Sequence, residues 1–463
     1  MTKSVSRGPD LLHGPVFSNM TRFFLPIMLG SLLQQLYSMV DAVVLGRLVG
    51  KTALAAVGGS DLVIINLVVG FFVGLSSGAC VVVSQHYGAG EGDMVRKSVH
   101  TAILFSVVIG AVMTALGILM ARPVLVLLDP PADTLADSII YLQWYFAGMI
   151  PSMVYNMGAG ILRAVGDSTR PFYFLVVSAV INTVLDLVFV LVFDMGVAGV
   201  AWATIIAQGV SALLVVLTLM HSHTCIRLRL RELRIKFDVL KQILFIGVPA
   251  AVQMAITAFS NVFVQSYINV FGADCMSGWT AYSKIDQFIV LPMQSISLAA
   301  TTFVGQNLGH GSLERAHNGT RIGMMMALVT TAVLLVPVLI FAPALVTFFN
   351  AKAEVVAYGS LFLRYISPFY LVMCTYQIHA GALRGAGNSR VPMIIMLASF
   401  VLFRQLYLFV TARLFPGNVN AVAFAYPAGW VLCSVLMLTY YHKMRLGKGV
   451  SLAQSPPGSA AGA

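Results

Sequence analysis

Charged residues are scarce in this sequence. Only 10% of its 463 residues are Asp, Glu, Lys or Arg, whereas 59% are hydrophobic, and the mean hydropathy is +0.88. A soluble domain usually carries about 25% charged residues, which cover its surface. The composition therefore excludes a water-soluble globule, and the abundance of apolar residues excludes a disordered chain. The remaining class is an integral membrane protein.

Cysteine pairs and nucleotide-binding motifs are also missing. The five cysteines lie far apart and form no C-x-x-C pair, so neither a disulfide framework nor a metal site is indicated. No G-x-x-x-x-G-K-[ST] motif is present to bind ATP. The stretch GLSSG matches the G-x-S-x-G nucleophile pattern but lies inside an apolar run, so Gly74 and Gly78 are interpreted as a small-residue packing face. The sequence therefore predicts no enzyme.

Apolar runs long enough to cross a bilayer, about 20 residues each, recur along most of the chain. They predict an all-α polytopic membrane protein with twelve transmembrane helices. The predicted spans lie near residues 17–46, 54–86, 98–121, 134–162, 171–193, 196–220, 243–271, 275–306, 319–342, 355–383, 392–414 and 419–442.

The Lys and Arg residues are unevenly distributed between the two sides of the membrane that these spans predict. With the N-terminus placed in the cytoplasm, 19 of the 28 Lys and Arg residues fall on the cytoplasmic side and 5 on the opposite side. The positive-inside rule therefore predicts a multi-pass protein of the plasma (inner) membrane with both termini in the cytoplasm. The net charge of +11 is explained in this way, and no nucleic-acid partner is expected. Four basic residues lie within or at the edge of spans, namely Arg22, Lys284, Arg364 and Arg404.

The sequence contains an internal repeat. The stretch GAGILRAVGDSTRP (158–171) resembles HAGALRGAGNSRVP (379–392) at an offset of 221 residues, and Gln85 matches Gln306 at the same offset. Six helices per half is an even number, so the halves enter the membrane in the same sense and enclose a cleft suited to alternating access. The predicted segments are an N-terminal segment (1–16), an N-lobe (17–220), a basic linker (221–242), a C-lobe (243–442) and a disordered tail (443–463).

Four acidic residues fall within the predicted spans: Asp41, Asp61, Asp186 and Asp286. A carboxylate at mid-bilayer costs roughly 2.5 to 3.5 kcal/mol, so such a residue indicates a functional site. Two carboxylates brought together in a low-dielectric lobe cannot both ionise cheaply, so one holds a proton or the pair binds a cation. Asp41 and Asp186 are the strongest candidates for this role. The alternative is that each only bonds neighbouring backbone or amide groups.

Three stretches resemble a known family. They are LYSMVDAVVLGRLVGKTALAAVG in the first helix and its following loop, GAGILRAVGDSTRP with its repeat partner, and NTVLDLVFVLVFDMGVAGVAWAT across the fifth and sixth helices. Together they are similar to the multidrug and toxic compound extrusion (MATE) transporters over nearly all of residues 15–442. They look most like the prokaryotic DinF-like branch, in which the N-lobe carries the coupling carboxylates.

The resemblance implies roles for individual residues. The implied proton or cation network of the N-lobe comprises Asp41, Asn156, Asn182, Asp186 and Thr204. A sodium ion, if that is the coupling ion, would bind at Asp41 and Asp186. The residues implied to line the adjoining substrate cavity are Gln34, Tyr37 and Tyr141, and Pro26 is implied to bend the first helix.

One feature departs from a second branch of the family, which carries acids in its seventh and tenth helices. Here the seventh contains GVPAAVQMAITAFSNVF without an acid, and Arg364 lies in the tenth. Coupling in the N-lobe is therefore favoured over a cation site in the C-lobe. The roles of Lys284, Asp286, Arg364 and Arg404 stay open.

The sequence as a whole predicts a secondary antiporter that exports amphipathic, often cationic, organic compounds in exchange for protons or sodium. We expect a monomer that contacts membrane lipids and a small organic substrate and that uses no cofactor other than the coupling ion. The alternative is a flippase for lipid-linked saccharides or other lipid precursors. Its anionic headgroup would call for Lys284, Arg364 and Arg404 in the cleft.

Overall fold

The computed structural model describes residues 8–50, 60–128 and 134–444, and each regular element in these ranges is a helix. The predicted tail from residue 445 and the side chain of Asp61 lie outside the described residues. We number the membrane helices α1 to α12. They are α1 (Val16–Val49, ending in a π-helical turn), α2 (Ser60–Gly88), α3 (Gly92–Leu128), α4 (Leu135–Ala147 and Met149–Ala164), α5 (Thr169–Leu191), α6 (Gly196–Met220), α7 (Phe237–Asn269), α8 (Ala273–Gly309), α9 (Leu313–Ile340), α10 (Ala353–Ile366 and Tyr370–Gly385), α11 (Arg390–Leu414) and α12 (Val419–Lys443).

Helix α4 differs from its prediction because it is broken. The sequence pattern predicts one helix over 134–162, but two shorter helices of 13 and 16 residues meet at Gly148. Pro151 has no N–H to donate to the carbonyl of Ala147, so the hydrogen-bond ladder is interrupted at this point. Eleven helical spans in the described part of the chain are long and apolar enough to cross a membrane, if the two parts of α10 are counted with the 3₁₀ turn at Ser367–Phe369 as one span. Helix α4 is the twelfth span, in two pieces.

The linker is shorter than predicted because α7 begins at Phe237 rather than near residue 243. Hydropathy alone misses this first turn, which carries Asp238 and Lys241. An acidic residue in the first turn stabilises a helix N-terminus through the helix dipole. The remaining linker is irregular, with a turn closed by the hydrogen bond from the N–H of Arg227 to the carbonyl of Thr224 and a 3₁₀ turn at Leu230–Glu232.

Two hydrophobic cores correspond to the two lobes, and each lobe contains the start of a helix from the other half. Met20, Phe23 and Phe24 of α1 pack in the core built by α8 to α12. In the same way Ile243 and Ile246 of α7 pack in the core of the N-terminal helices. Because α1 and α7 occupy corresponding positions in the repeat, this exchange ties the lobes together at one end of the bundle.

We call this end, where α1 begins and α12 ends, the terminal end. Both ends of the described chain lie there. The carbonyl of Leu11 accepts a hydrogen bond from Nδ2 of Asn307 at 3.2 Å, and Nδ2 of Asn388 donates to the hydroxyl of Tyr440 at 3.0 Å.

Close packing of α2 against α7 joins the lobes over several turns. A Cβ atom added to Gly78 would lie 2.4 Å from the carbonyl oxygen of Ile243 and 2.6 Å from the backbone of Gly247. A Cβ added to Gly74 would lie 2.3 Å from Cα of Ala251. Small residues of this kind let membrane helices approach backbone to backbone. The interpretation of Gly74 and Gly78 as a packing face is thereby confirmed.

Replacing Gly78 with alanine should therefore destabilise the protein. The added methyl group has no room, and overpacking of this kind costs about 1 to 3 kcal/mol. Gly209→Ala in α6 is the matched control, because a Cβ there meets nothing within 4 Å. Thermal unfolding of the detergent-purified protein should show a lower midpoint for Gly78→Ala and an unchanged or higher midpoint for Gly209→Ala. Equal midpoints for the two variants would contradict the packing argument.

Candidate functional site in the N-lobe and the cleft

Two carboxyl groups meet inside the N-lobe. Asp41 of α1 and Asp186 of α5 lie within hydrogen-bonding reach of each other, and Asp186 is fully buried. Oδ1 of Asp41 and both carboxylate oxygens of Asp186 are buried and accept no hydrogen bond from a donor among the described residues. A carboxylate has no hydrogen to donate, so two adjacent carboxyl groups are compatible only if they share a proton or a cation.

The other members of the predicted coupling network occupy neighbouring helices. Asn182 lies one turn before Asp186 on the buried face of α5, and its Nδ2 donates to the hydroxyl of Thr204 on α6 at 3.5 Å. Oδ1 of Asn182 is buried and has no donor among the described residues. Asn156 on α4 donates to the carbonyl of Ser152 in its own helix at 2.9 Å. The structure thus joins Asp41 to Asp186 and Asn182 to Thr204, and it gives Asn156 a local partner.

Several tyrosines of α1 and α4 lie near the carboxyl pair. Tyr37 lies beside Asp41 and within hydrogen-bonding reach of Gln34 on the same helix, while Pro26 lies further back within the continuous α1. Tyr37 is also close enough to Tyr145 and Tyr155 of α4 for electrostatic interaction. Tyr141, a predicted cavity residue, has its ring centroid 6.2 Å from that of Tyr145.

Tyr145 and Tyr155 were not singled out by the sequence. One signal was present for Tyr145, since it follows Tyr141 by one helical turn and therefore shares its face. Tyr155 directly precedes Asn156, so its place beside the first helix depends on how α4 is broken and turned. The sequence pattern of α4 does not show that Tyr155 lies beside the first helix.

The two lobes also contact each other nearer the terminal end than the carboxyl pair. Nε2 of Gln35 on α1 donates to Oε1 of Gln287 on α8 at 3.3 Å. This contact lies further from the terminal end than the other inter-lobe hydrogen bonds of the described residues. Beyond it, the outer half of α1 exposes Leu36, Met39 and Val40. The hydrogen bonds that join the lobes among the described residues are therefore confined to the part of the bundle from Gln35 and Gln287 toward the terminal end.

A symmetric pair of hydrogen bonds closes the terminal end, and we call Gln85 and Gln306 the glutamine clamp. Nε2 of Gln85 on α2 donates to the carbonyl of Gly385 at 2.8 Å, and Nε2 of Gln306 on α8 donates to the carbonyl of Ala164 at 2.7 Å. Gly385 and Ala164 are also 221 residues apart, so each glutamine binds the last turn of the equivalent helix in the other lobe.

Backbone contacts reinforce the glutamine clamp. A Cβ atom on Gly88 would lie 1.9 Å from the carbonyl oxygen of Gln306, and one on Gly309 would lie 2.0 Å from that of Gln85. Between α2 and α8, the thiol of Cys80 lies 3.6 Å from the hydroxyl of Thr302, and Cys80 is only 2% exposed. Cys80 is therefore shielded from solvent between the two lobes.

The C-lobe contains a different polar cluster. The hydroxyl of Tyr370 donates to Oδ1 of Asp286, and it lies 3.2 Å from the hydroxyl of Tyr282. Arg404 is 1% exposed and lies over the ring of Tyr426 at 4.4 Å. Its guanidinium also donates to Oδ1 of Asn261 at 3.3 Å. Buried Arg404 forms a salt bridge with no described acid and is held by aromatic rings and neutral acceptors.

The three basic residues that the flippase alternative would place in the cleft are dispersed. Arg404 is enclosed in the C-lobe, whereas Arg364 is exposed and lines a surface groove of that lobe with Ser360 and Pro343. Lys284 is exposed on α8. The described residues therefore do not assemble these three cations into one anion site.

Comparison with known proteins agrees with this architecture. The family model MatE matches residues 26–188 and 249–409, one segment in each half of the chain. The chain belongs to the MatE family. A probable multidrug resistance protein of Bacillus subtilis, YpnP, is 29% identical over 85% of this chain and 88% of its own. The probable multidrug resistance protein NorM of Thermotoga maritima is 26% identical, with 90% of both chains covered.

Solved structures share the fold of this MatE chain. A multidrug resistance MATE family transporter of the MOP superfamily, in its outward-facing conformation, superposes with a TM-score of 0.90 at 20% identity, covering 96% of this chain and 99% of that one. Transporters of this kind have twelve helices in two lobes, so the predicted fold class is confirmed. The relatives are transporters rather than enzymes.

We expect loss of the glutamine clamp to open the terminal end. Gln85→Ala and Gln306→Ala each remove one hydrogen bond, worth about 0.5 to 1.5 kcal/mol, which corresponds to a two- to tenfold increase in opening. The measurement is the rate at which a water-soluble maleimide labels Cys80 in a variant that has no other cysteine. The double variant should label faster than either single variant.

Asn388→Ala controls for a general loosening of this end, because the Asn388 side chain bonds Tyr440 within one lobe. Its labelling rate should equal that of the parent. A double clamp variant that labels no faster than Asn388→Ala would mean that the clamp does not hold the lobes together.

Proposed function

We propose that this MatE protein is an antiporter, which exports amphipathic and often cationic organic compounds in exchange for protons or sodium. The observation that carries the proposal is the meeting of Asp41 and Asp186 inside the N-lobe. Their buried oxygens have no donor among the described residues. Two buried carboxylates repel each other, so the pair is stable only when a proton or a cation is bound to it.

The coupling step follows from the charge of the pair. One proton or cation changes the local charge by one unit, and an inward gradient supplies roughly 2.3 kcal/mol per charge for each 100 mV. An organic cation that binds beside Asp41 competes for the same negative charge. Arrival of the coupling ion therefore weakens the binding of the exported compound and favours its release.

The aromatic surroundings support an amphipathic substrate. Tyr37 lies beside Asp41 and Tyr145 lies near Tyr37, and aromatic ring faces attract organic cations. In this proposal the termini lie in the cytoplasm, so the state in which the lobes are joined at the terminal end is the release state. Return to the loading state requires the glutamine clamp to separate.

Replacing either carboxyl group should uncouple transport. In Asp41→Asn the site can no longer gain and lose a positive charge, so gradient-driven efflux of a cationic dye should fall to the background of vesicles without protein. Asp186→Asn should behave in the same way. Asp93→Asn is the matched control, since Asp93 is exposed at the start of α3. Unchanged efflux in Asp41→Asn would remove this residue from the mechanism.

The coupling ion can be identified with purified protein in vesicles. A proton gradient and a sodium gradient are imposed separately, and dye efflux is recorded for the parent protein and for Asp41→Asn. We expect one of the two gradients to drive efflux by the parent, and neither to drive efflux by the variant. Dye efflux by the parent protein that is independent of both gradients would contradict the antiport proposal.

A further inference from the structure

A groove on the outer surface, where the first part of α7 meets the C-lobe helix α11, combines an apolar floor with two cations. It has a volume of about 500 Å³ and lies between α7 and the start of α11. The side chains that line it are Phe237, Leu240, Lys241, Leu244, Phe245, Val248, Pro249 and Arg390. None of them belongs to the carboxyl pair, the tyrosines or the glutamine clamp.

The groove faces the surrounding membrane. Along α7, residues 237, 241, 244 and 248 recur at helical spacing and form one stripe, whereas Ile243, Ile246 and Gly247 face α2. Phe237 is 80% exposed, and Phe245 and Val248 are about half as exposed at 46% and 40%. Exposed apolar side chains next to an inward notch form a surface suited to a hydrocarbon chain.

The groove extends along the first part of α7. Twelve residues separate Phe237 from Pro249, which corresponds to about 18 Å of helix. The part beyond the two cations, from Leu244 to Pro249, spans about 8 Å, which is roughly half of the 15 Å depth of one leaflet's hydrocarbon. This part can therefore hold the upper half of one acyl chain.

The cations lie where the headgroup of such a lipid would be. Arg390 is the first residue of α11, and its guanidinium lies 3.9 Å from the ring centroid of Phe245. Lys241 stands one turn into α7 and is exposed. Asp238, the nearby acid on the first turn of α7, is exposed but does not line the groove.

The linker that precedes α7 in the chain is also basic. Ile226 and Leu228 are buried, while the intervening and following arginines are exposed. Glu232 is paired with Arg229 at 2.8 Å. The exposed arginines of the linker are Arg227, Arg229, Arg231 and Arg234.

We propose that this groove is a binding site for an anionic glycerophospholipid. The phosphate and the headgroup lie between Lys241 and Arg390, and the upper half of one acyl chain lies along Leu244, Val248 and Pro249. Charge complementarity selects an anionic headgroup over a zwitterionic one, and the depth of the groove selects a lipid over a free anion. The site is independent of the transport proposal, because it needs neither a coupling ion nor an exported compound.

Native mass spectrometry of the purified full-length protein tests the site. The probes are dioleoylphosphatidylglycerol and dioleoylphosphatidylcholine, and the quantity measured is the ratio of their binding constants. A basic side chain near an anionic surface contributes about 1 kcal/mol, so Lys241→Gln and Arg390→Gln should each lower this ratio about fivefold. The double variant should lower it about 25-fold if the two contributions add.

Arg413→Gln is the matched control. Arg413 lies at the other end of α11, and its guanidinium is 4.1 Å from the ring centroid of Phe409, so it forms the same kind of contact outside the groove. Its substitution should leave the ratio unchanged. An equal fall in Arg413→Gln, or no fall in the double variant, would overturn the proposal.

Two further measurements separate a lipid from a simple anion. Val248→Trp fills the groove and should weaken dioleoylphosphatidylglycerol while leaving the short-chain dihexanoyl form unaffected. Inorganic phosphate at millimolar concentration should not displace the long-chain lipid. Displacement by phosphate, or full binding of the long-chain lipid to Val248→Trp, would overturn the lipid assignment.

Discussion

The structure depends on backbone contact between the two lobes at the terminal end. Glycines on α2 and α8 let the helices approach so closely that a single methyl group would collide with the opposite carbonyl oxygen at Gly88 or Gly309. This contact fixes where the lobes are closed. The carboxyl pair lies in the N-lobe on the side of the Gln35 to Gln287 contact that faces away from the terminal end, and its oxygens are buried there.

Duplication has given the two lobes one fold and different electrostatics. The N-lobe buries two adjacent carboxyl groups without a neutralising side chain among the described residues. The C-lobe buries a guanidinium, which aromatic rings and the amide oxygen of Asn261 hold in place. Carboxyl groups can bind and release a proton or a cation, whereas a guanidinium keeps its charge. In the antiport mechanism proposed above, the N-lobe is therefore the half that responds to an ion gradient.

Hydropathy predicted the twelve spans well because burial in lipid imposes the same requirement on every helix. It could not predict the break at Gly148, since an apolar run with one internal proline is equally compatible with a bent helix. It also missed the first turn of α7, where Asp238 and Lys241 lower the local hydropathy. Phe23 packs in the core of the C-lobe and Ile243 in the core of the N-lobe, and this exchange depends on the tertiary structure. The apolar character of a residue does not show which of the two cores will bury it.

The carboxyl pair was accessible from sequence for a specific reason. Acids inside apolar runs are costly, so Asp41 and Asp186 stand out without any knowledge of the fold. Tyr145 and Tyr155 do not, because a tyrosine in a membrane helix is common and its value depends on which helix it faces. The groove at Lys241 and Arg390 is equally hidden, since its two cations lie 149 positions apart in the chain.

The repeat offset of Gln85 and Gln306 has a consequence for the origin of the molecule. Each half carries both the donor and the acceptor of the same hydrogen bond, so the interface is self-complementary in the manner of a two-fold dimer. A six-helix polypeptide resembling either half would already possess everything needed to pair with an identical copy. Fusion of two such genes would then preserve an existing interface rather than create a new one. The different charges inside the two lobes could evolve afterwards without disturbing that interface.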